Sequence, residues 1–461
     1  MIEAVDLIII FLYLLVVFLI ATVFSIGQGV EGFLVNKRNT KLVFLVLSIV
    51  STNVGAGFFL SVAAEAYTTG ISFGITIIMI STVMSLTFAA FSRRVKRLAD
   101  AGNVHTIPEL LTQRYQSPLV GLIAAIITIA GYLFVTALQF VGIGAVGSVI
   151  LGFNINTILL VAGIVTVAYT AIGGIRSDFF ADALSFVIMV AVLAIIVPLI
   201  VTSDRVDFSA LPSSHLDLFS FAGVPFFVLS ILLAAVSAFM FMEIWQRVFA
   251  AESPKTARRA FLISVLIQPL FISAGILLGL TASLLFKDTG KSVAIFKVMV
   301  EFLPSGILGL GLVAVLAILM TTVNSLVVVG GSTLFTDIVK PRLSNTGERS
   351  QLLWVRFLTV AFGFCSLGMA FVFPDLVRLL LMGAFVMMPM CPAIIWSLFE
   401  RKPPSGAALT SMVAGVAITL VLLPRMPDTA FGPGFLVSLL VLIVSHYLQK
   451  HRSQKSEVDN A

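Results

Sequence analysis

The feature that most limits this chain is its succession of apolar runs, each about as long as a bilayer core is thick. Thirteen can be read, at about residues 4–26, 42–67, 71–92, 118–150, 155–173, 180–201, 223–249, 260–286, 305–336, 353–373, 376–399, 407–424 and 431–449. A helix needs about 20 such residues to cross the hydrocarbon, and inside lipid only helices and closed barrels satisfy their own backbone polar groups. Barrel strands alternate apolar and polar residues over about 10 positions, and no such alternation is present here. The chain is 59% hydrophobic and 11% charged, against roughly 25% charged residues in soluble domains. These features predict an all-α polytopic membrane protein of about 13 transmembrane helices. The first run carries Glu3 and Asp6 at its start, with no basic n-region and no evident small-residue cleavage site. It therefore reads as a true span and not a signal peptide.

The net charge of +6 is explained by topology. With the N-terminus outside and the C-terminus cytoplasmic, 22 of the 28 Lys and Arg residues fall in cytoplasmic loops; the other 6 are Arg205, Lys287, Lys291, Lys297, Arg378 and Arg425. That asymmetry is the positive-inside signature of a plasma-membrane protein, and it predicts no nucleic-acid partner. The two cysteines, Cys365 and Cys391, both lie in apolar runs and read as small buried hydrophobes. The four histidines are scattered, and no hydrolase, kinase or nucleotide-binding signature is present. No enzymatic activity and no organic cofactor are expected. Loops of about twenty residues or fewer leave no room for a soluble domain, so 1–461 reads as a single transporter domain.

Two of the runs are interrupted by polar residues. The second holds Ser51-Thr52-Asn53-Val54-Gly55-Ala56-Gly57-Phe58-Phe59 near its middle. Small residues there could serve close helix packing. They could also mark a discontinuous helix, whose freed carbonyls coordinate a cation near the bilayer midplane. The ninth run supplies a partner, with Thr321, Thr322, Asn324 and Ser325 in an otherwise apolar helix. Thr321, Asn324 and Ser325 share a face by their three-and-four spacing. Neutral hydroxyl and carbonyl oxygens suit a hard cation such as sodium. Among intramembrane charges, which are costly and functional by default, Glu243 beside Arg247 reads as an interfacial ion pair. Glu65 lies near the outer part of the second run.

These two runs, the exit STLFTDIVK (Ser332–Lys340), the segment AIGGIRSDFFADALSF (Ala171–Phe186) and WQRVFAAESPKTARRA (Trp245–Ala260) resemble the sodium:solute symporter family over nearly the whole chain. The resemblance implies a leucine-transporter-like fold with a 5+5 inverted repeat core. Spans 2–6 (42–201) would form the first repeat and spans 7–11 (223–399) the second, with 4–26 an extra first helix and 407–449 trailing. It further implies sodium-coupled symport of a small organic solute by alternating access, with sodium as coupling ion. The main sodium site would be Ser51, Val54, Ile318, Thr321 and Thr322. A second sodium would take Asp182, Asn324 and Ser325. Asp182, at the cytoplasmic start of span 6, could equally be a helix cap. The substrate would lie between spans 2, 3, 7 and 11, at Asn53, Phe58, Ile77 and Ser237. Span 7 should be broken, although it has no central Gly or Pro.

The apolar side chains Phe58 and Ile77 disfavour a sugar and favour a small amino acid or monocarboxylate. The stretch VAAEAY (Val62–Tyr67) is faintly similar to choline-transporting members, so a choline- or sugar-type carrier remains an alternative. So does a transporter-like membrane sensor of a small ligand. A channel is disfavoured, because the polar groups fall at a few depths and form no continuous stripe.

Overall fold

The computed structural model describes residues 3–459 apart from 288, 292, 344–345 and 401–402. Among the described residues it is helical, without strands. In chain order the helices are α1 (Ala4–Ser25), α2 (Val30–Val35), α3 (Leu42–Asn53), α4 (Ser61–Thr69), α5 (Ser72–Gly102) and α6 (Ile107–Tyr115). There follow α7 (Pro118–Leu151), α8 (Ile155–Val201), α9 (Gly223–Ser237), α10 (Met242–Ala250), α11 (Pro254–Leu285) and α12 (Ala294–Phe302). The last six are α13 (Ile307–Thr333), α14 (Glu348–Val372), α15 (Leu376–Met387), α16 (Cys391–Phe399), α17 (Ser405–Leu422) and α18 (Phe431–Asp459). Among the described residues, eleven helices are long and apolar enough to cross a membrane, and α3 with α4 makes a twelfth span bent by 65°.

One of the eleven is two spans. Helix α8 has 47 residues; at ~1.5 Å per residue it extends about 70 Å, more than twice a ~30 Å hydrocarbon core. It breaks at Gly174, where φ is 57° and ψ −164°, a region essentially reserved for glycine. Divided there, α8 yields the runs 155–173 and 180–201 expected from sequence. The carbonyls freed at the break find donors from distant helices. Gln28 Nε2 donates to Gly173 O at 3.0 Å, and Arg356 Nη2 donates to Ile172 O at 3.0 Å.

Helix α13 is buried without interruption from Gly311 to Thr333, which is the expected position for a helix apolar on all sides. Around it pack α7, α8 and α14, with α3 and α10 at its middle. Helix α1 presents most of its surface outward, with Phe11, Leu12 and Leu19 exposed; it lies at the periphery against α8 and α13. Short helices α2, α6 and α12 were not evident from the apolar runs. Each spans nine residues or fewer, too few to register as a span.

Each half of the chain contains a broken helix, α3 with α4 in the first and α9 with α10 in the second. Between α3 and α4 the chain departs from helical geometry at Val54 (ψ 44°) and resumes through a π-turn at Ala56–Leu60. Between α9 and α10 a single 3₁₀ turn (Ala238–Met240) leads to Phe241, which is extended at φ −85° and ψ 97°. Any L-residue adopts that conformation, so the second break needs no Gly or Pro. Trp245 Nε1 takes up Phe239 O at 3.1 Å, and the Glu243 N–H donates to Tyr132 Oη at 3.3 Å. The two broken helices are tied at their far ends, where Thr40 N–H donates to Ala250 O at 2.9 Å and Glu252 N–H donates to Thr40 O at 3.1 Å.

Gly174→Ala should test the division of α8. An added Cβ would lie 2.5 Å from the Phe33 ring, and the backbone region alone costs of the order of 1–3 kcal/mol. The variant should unfold at a clearly lower temperature than wild type in a detergent thermal-shift assay. An unchanged midpoint contradicts the break.

Candidate functional site

The break in the first span is shaped to receive α13. Val54 N–H still donates to Val50 O at 3.0 Å, and the next regular bonds are those of the Phe58 and Phe59 N–H groups to Gly55 O. Between them the carbonyls of residues 51–54 lie where the helix has lost its register. Thr322 Oγ1 reaches across and donates to Thr52 O at 3.2 Å, while it also bonds Ile318 O at 2.9 Å. Thr321 Oγ1 donates to the same Ile318 O at 3.2 Å. Gly55 is what permits this approach, since a Cβ on it would lie 2.5 Å from Thr322 Oγ1 and 2.9 Å from Gln139 Oε1. Ser51, Val54, Ile318, Thr321 and Thr322 are all buried. The fold thus brings the irregular backbone at the end of α3 against the Thr322 hydroxyl, with the Thr321 hydroxyl beside it on α13, the oxygen chemistry a hard monovalent cation takes.

One turn deeper on α3 lies a buried ion cluster. Arg247, on α10, is 1% exposed, and the Asp178 and Asp182 side chains on α8 are fully buried. Arg247 Nη2 lies 2.8 Å from Asp178 Oδ2 and 3.3 Å from Asp182 Oδ2. It also donates to Thr52 Oγ1 and Ser325 Oγ, each at 2.6 Å, and Arg247 Nε donates to Ser48 Oγ at 3.1 Å. The Ser48 hydroxyl donates in turn to Asp182 Oδ2, and the Ser51 hydroxyl to Asp182 O at 3.0 Å. Asn324 Nδ2 and Ser325 Oγ both donate to Asp178, each at 2.6 Å.

This arrangement differs from the sequence reading in three respects. Asp182 is no membrane-edge cap; it is enclosed within the helix bundle. Asn324 and Ser325 turn to Asp178, so the expected trio with Asp182 is joined only through Arg247. Arg247 does not pair with the Glu243 carboxylate one turn before it, because that carboxylate accepts from the Tyr132 hydroxyl, and Arg247 Nη1 meets only the Glu243 carbonyl, at 3.4 Å. Asp178 and Ser48 were missed. The available signal was the four-residue spacing of Asp178 and Asp182, which puts both carboxylates on one helix face.

Two adjoining cavities open beside the break. One, of about 50 Å³, is lined by Thr52, Asn53, Gln139, Glu243 and Thr322 among others. The second, of about 90 Å³, is lined by Ile77, Ser237, Phe73, Phe226 and neighbouring apolar side chains. Phe58, Met84, Phe241 and Leu380 border both. All four expected substrate residues, Asn53, Phe58, Ile77 and Ser237, therefore gather here. The Ser237 hydroxyl is engaged with Ala234 O at 2.9 Å. A larger cavity of about 680 Å³, which meets the second at Leu381, is bordered by Glu65, Lys291, Asp375 and Arg378. There Lys291 Nζ lies 2.8 Å from Glu65 Oε1. Partial burial acts to lower the Lys291 pKa, but the Glu65 and Asp375 carboxylates outweigh it and hold the ammonium above its ordinary value.

The family model for the sodium:solute symporter family matches residues 33–415. The chain belongs to the sodium:solute symporter family. It is 22% identical over 446 residues to a sodium/pantothenate symporter of Escherichia coli (strain K12), covering 92% of this chain and 91% of that protein. A high-affinity proline transporter of Bacillus subtilis (strain 168) is 27% identical over 373 residues, covering 77% and 79%. The structure of a sodium-coupled sialic acid symporter superposes with a TM-score of 0.82 at 18% identity, covering 97% of this chain and 98% of that one. A nucleobase-cation-symport transporter in a closed conformation superposes at 0.61, with 15% identity and coverage of 89% and 93%. The fold is therefore the leucine-transporter-like one, and the protein is a multi-pass membrane transporter, not an enzyme.

Removing one partner of a buried ion cluster leaves an uncompensated charge and typically costs 3–5 kcal/mol. Arg247→Gln should therefore reduce the yield of folded protein severely. Arg247→Gln combined with Asp178→Asn should recover much of the loss, as read by monodisperse yield and thermal midpoint. Equal damage in single and double variants contradicts the charge balance described here.

Proposed function

We propose that the protein imports a small organic solute together with sodium, with the coupling ion held at Ser51, Val54, Ile318, Thr321 and Thr322. The observation that carries this reading is the Thr322 hydroxyl, which donates to Thr52 O at the break in the first span, while it and the neighbouring Thr321 hydroxyl both reach Ile318 O. A cation there would bridge the first repeat, 42–201, to the second, 223–399, so its arrival would favour one relative position of the two over another. The two broken helices, whose breaks at Gly55 and Phe241 border one cavity, supply segments that can tilt while the rest of the bundle holds still. The substrate would occupy the paired cavities beside Asn53, Phe58, Ile77 and Ser237. Their mostly apolar walls leave few anchors for sugar hydroxyls and suit a small amino acid or monocarboxylate. The basic-residue distribution supports an N-terminus outside and a C-terminus in the cytoplasm.

A second sodium position is supported by the charge of the ion cluster. Asp178 and Asp182 face one guanidinium, so one negative charge awaits a cation if both carboxylates are ionised. Asp182 Oδ1 and Asn324 Oδ1 are buried with no hydrogen-bond donor among the described residues. These are the oxygens a second sodium would take, with Ser325 beside them.

Thr322→Ala should raise the sodium concentration for half-maximal uptake about tenfold or more, the loss of roughly 1.4 kcal/mol of binding. Thr321→Ala should act in the same direction. Wild-type sodium dependence in both well-expressed variants rules out the main site. For the second position, reversal potentials of reconstituted wild-type protein give the number of sodium ions per solute. Two ions, with Asp182→Asn strongly impaired, are expected; one ion with a normally transporting Asp182→Asn reduces Asp182 to a structural carboxylate.

A further inference from the structure

Glu243 is a carboxylate inside the bundle with no cationic side chain assigned to it. It is 8% exposed, and among the described residues no Lys, Arg or His nitrogen lies within 4.0 Å of its carboxylate oxygens. The Arg247 guanidinium one turn along, its natural helical partner, is turned toward Asp178 and Asp182. The Glu243 carboxylate is instead held in place by the Tyr132 hydroxyl, whose oxygen also receives the Glu243 N–H. Tyr132 orients the carboxylate but brings no charge to neutralise it. Glu243 lines the cavity at the helix break together with Thr52, Asn53 and Gln139, and Phe58 and Phe241 form the border with the neighbouring apolar cavity.

Resting on the transport reading above, we infer that Glu243 is the specificity-determining contact for a positively charged nitrogen, so the solute is a small organic ammonium compound, amino acids included. A carboxylate in a low-dielectric site gains most from a cation placed directly against it, and repels an anion that carries no compensating nitrogen. The aromatic walls add to this preference, because the faces of Phe58 and Phe241 attract an ammonium through their quadrupoles. The body of the solute would extend past those rings toward Phe73, Ile77 and Phe226. Of the two solute classes that suit the apolar walls, the amino acid is therefore favoured over the monocarboxylate. Sodium at the Thr321–Thr322 position involves different oxygens, so the two cations need not compete.

The test uses the full-length purified protein in thermal-shift titrations, with sodium and with potassium. The probes are pairs differing in the nitrogen: proline with cyclopentanecarboxylate, alanine with propionate, and valine with 3-methylbutanoate. Wild type should be stabilised in sodium by at least one ammonium member and not by its nitrogen-free partner. Glu243→Gln, which keeps a hydrogen-bonding group beside Tyr132, should weaken that ligand's half-saturation about tenfold or more while its stabilisation by sodium alone is retained. Glu243→Asp, which keeps the charge, should retain the preference for the nitrogen. A nitrogen-free acid that stabilises as well as its ammonium partner overturns the inference. So does a Glu243→Gln protein that binds the ammonium ligand with wild-type affinity, or a wild type stabilised by sodium and by no ammonium probe. A wild type that does not distinguish sodium from potassium overturns the transport reading itself, and this inference with it, so the two failures are told apart.

Discussion

A guanidinium held between two carboxylates, out of contact with water, joins four helices that are far apart in the chain. Arg247 comes from the second broken helix, Asp178 and Asp182 from α8, Ser48 and Thr52 from the first broken helix, and Asn324 and Ser325 from α13. Desolvating such charges is expensive, and the cost is recovered only when geometry and hydrogen bonds are nearly complete. Both repeats contribute, so neither broken helix can shift far without disturbing the cluster. The elements expected to move during transport are thereby given a common reference point close to the position proposed for sodium.

The main site depends on the same helices in a different way. Lipid tolerates irregular backbone only where other protein groups or a lined cavity surround it. At Val54–Gly55 the surrounding groups are the Thr322 hydroxyl of α13 and Gln139, brought close because Gly55 has no side chain. At Phe239–Glu243 they are the Trp245 indole and the Tyr132 hydroxyl. The first break leaves carbonyl oxygens facing hydroxyls, which suits a cation. The second leaves a carboxylate beside a cavity, which suits a charged solute. On the proposed reading, ion and solute are coupled because the two helix breaks border one cavity, lined by Thr52 and Gly55 from the first and by Phe241 and Glu243 from the second.

Much of this was legible in the sequence because the bilayer imposes a coarse rule. Apolar runs had to be spans, and a Ser-Thr-Asn run with glycines inside one had to have a reason. Its polar counterpart at Thr321–Ser325 was visible for the same cause. The break at Phe241 was not, since an extended aromatic residue carries no mark in the sequence. Nor was the true partner of Arg247. Spacing along the helix pointed to Glu243, four residues before it, but a fully buried guanidinium gains more from two carboxylates on another helix than from one on its own. Helices α6 and α12 escaped because each makes only two or three turns, too short for any membrane-length window to reveal.

The central claim is that sodium binds between the broken first span and α13. Equilibrium binding of radioactive sodium to the purified protein, in the absence of solute, measures this without depending on substrate identity. The account predicts saturable binding that unlabelled sodium displaces and potassium does not, and that is weakened when Thr321 and Thr322 are both replaced by alanine. Non-saturable binding, equal displacement by potassium, or unaltered binding in the double variant would contradict it.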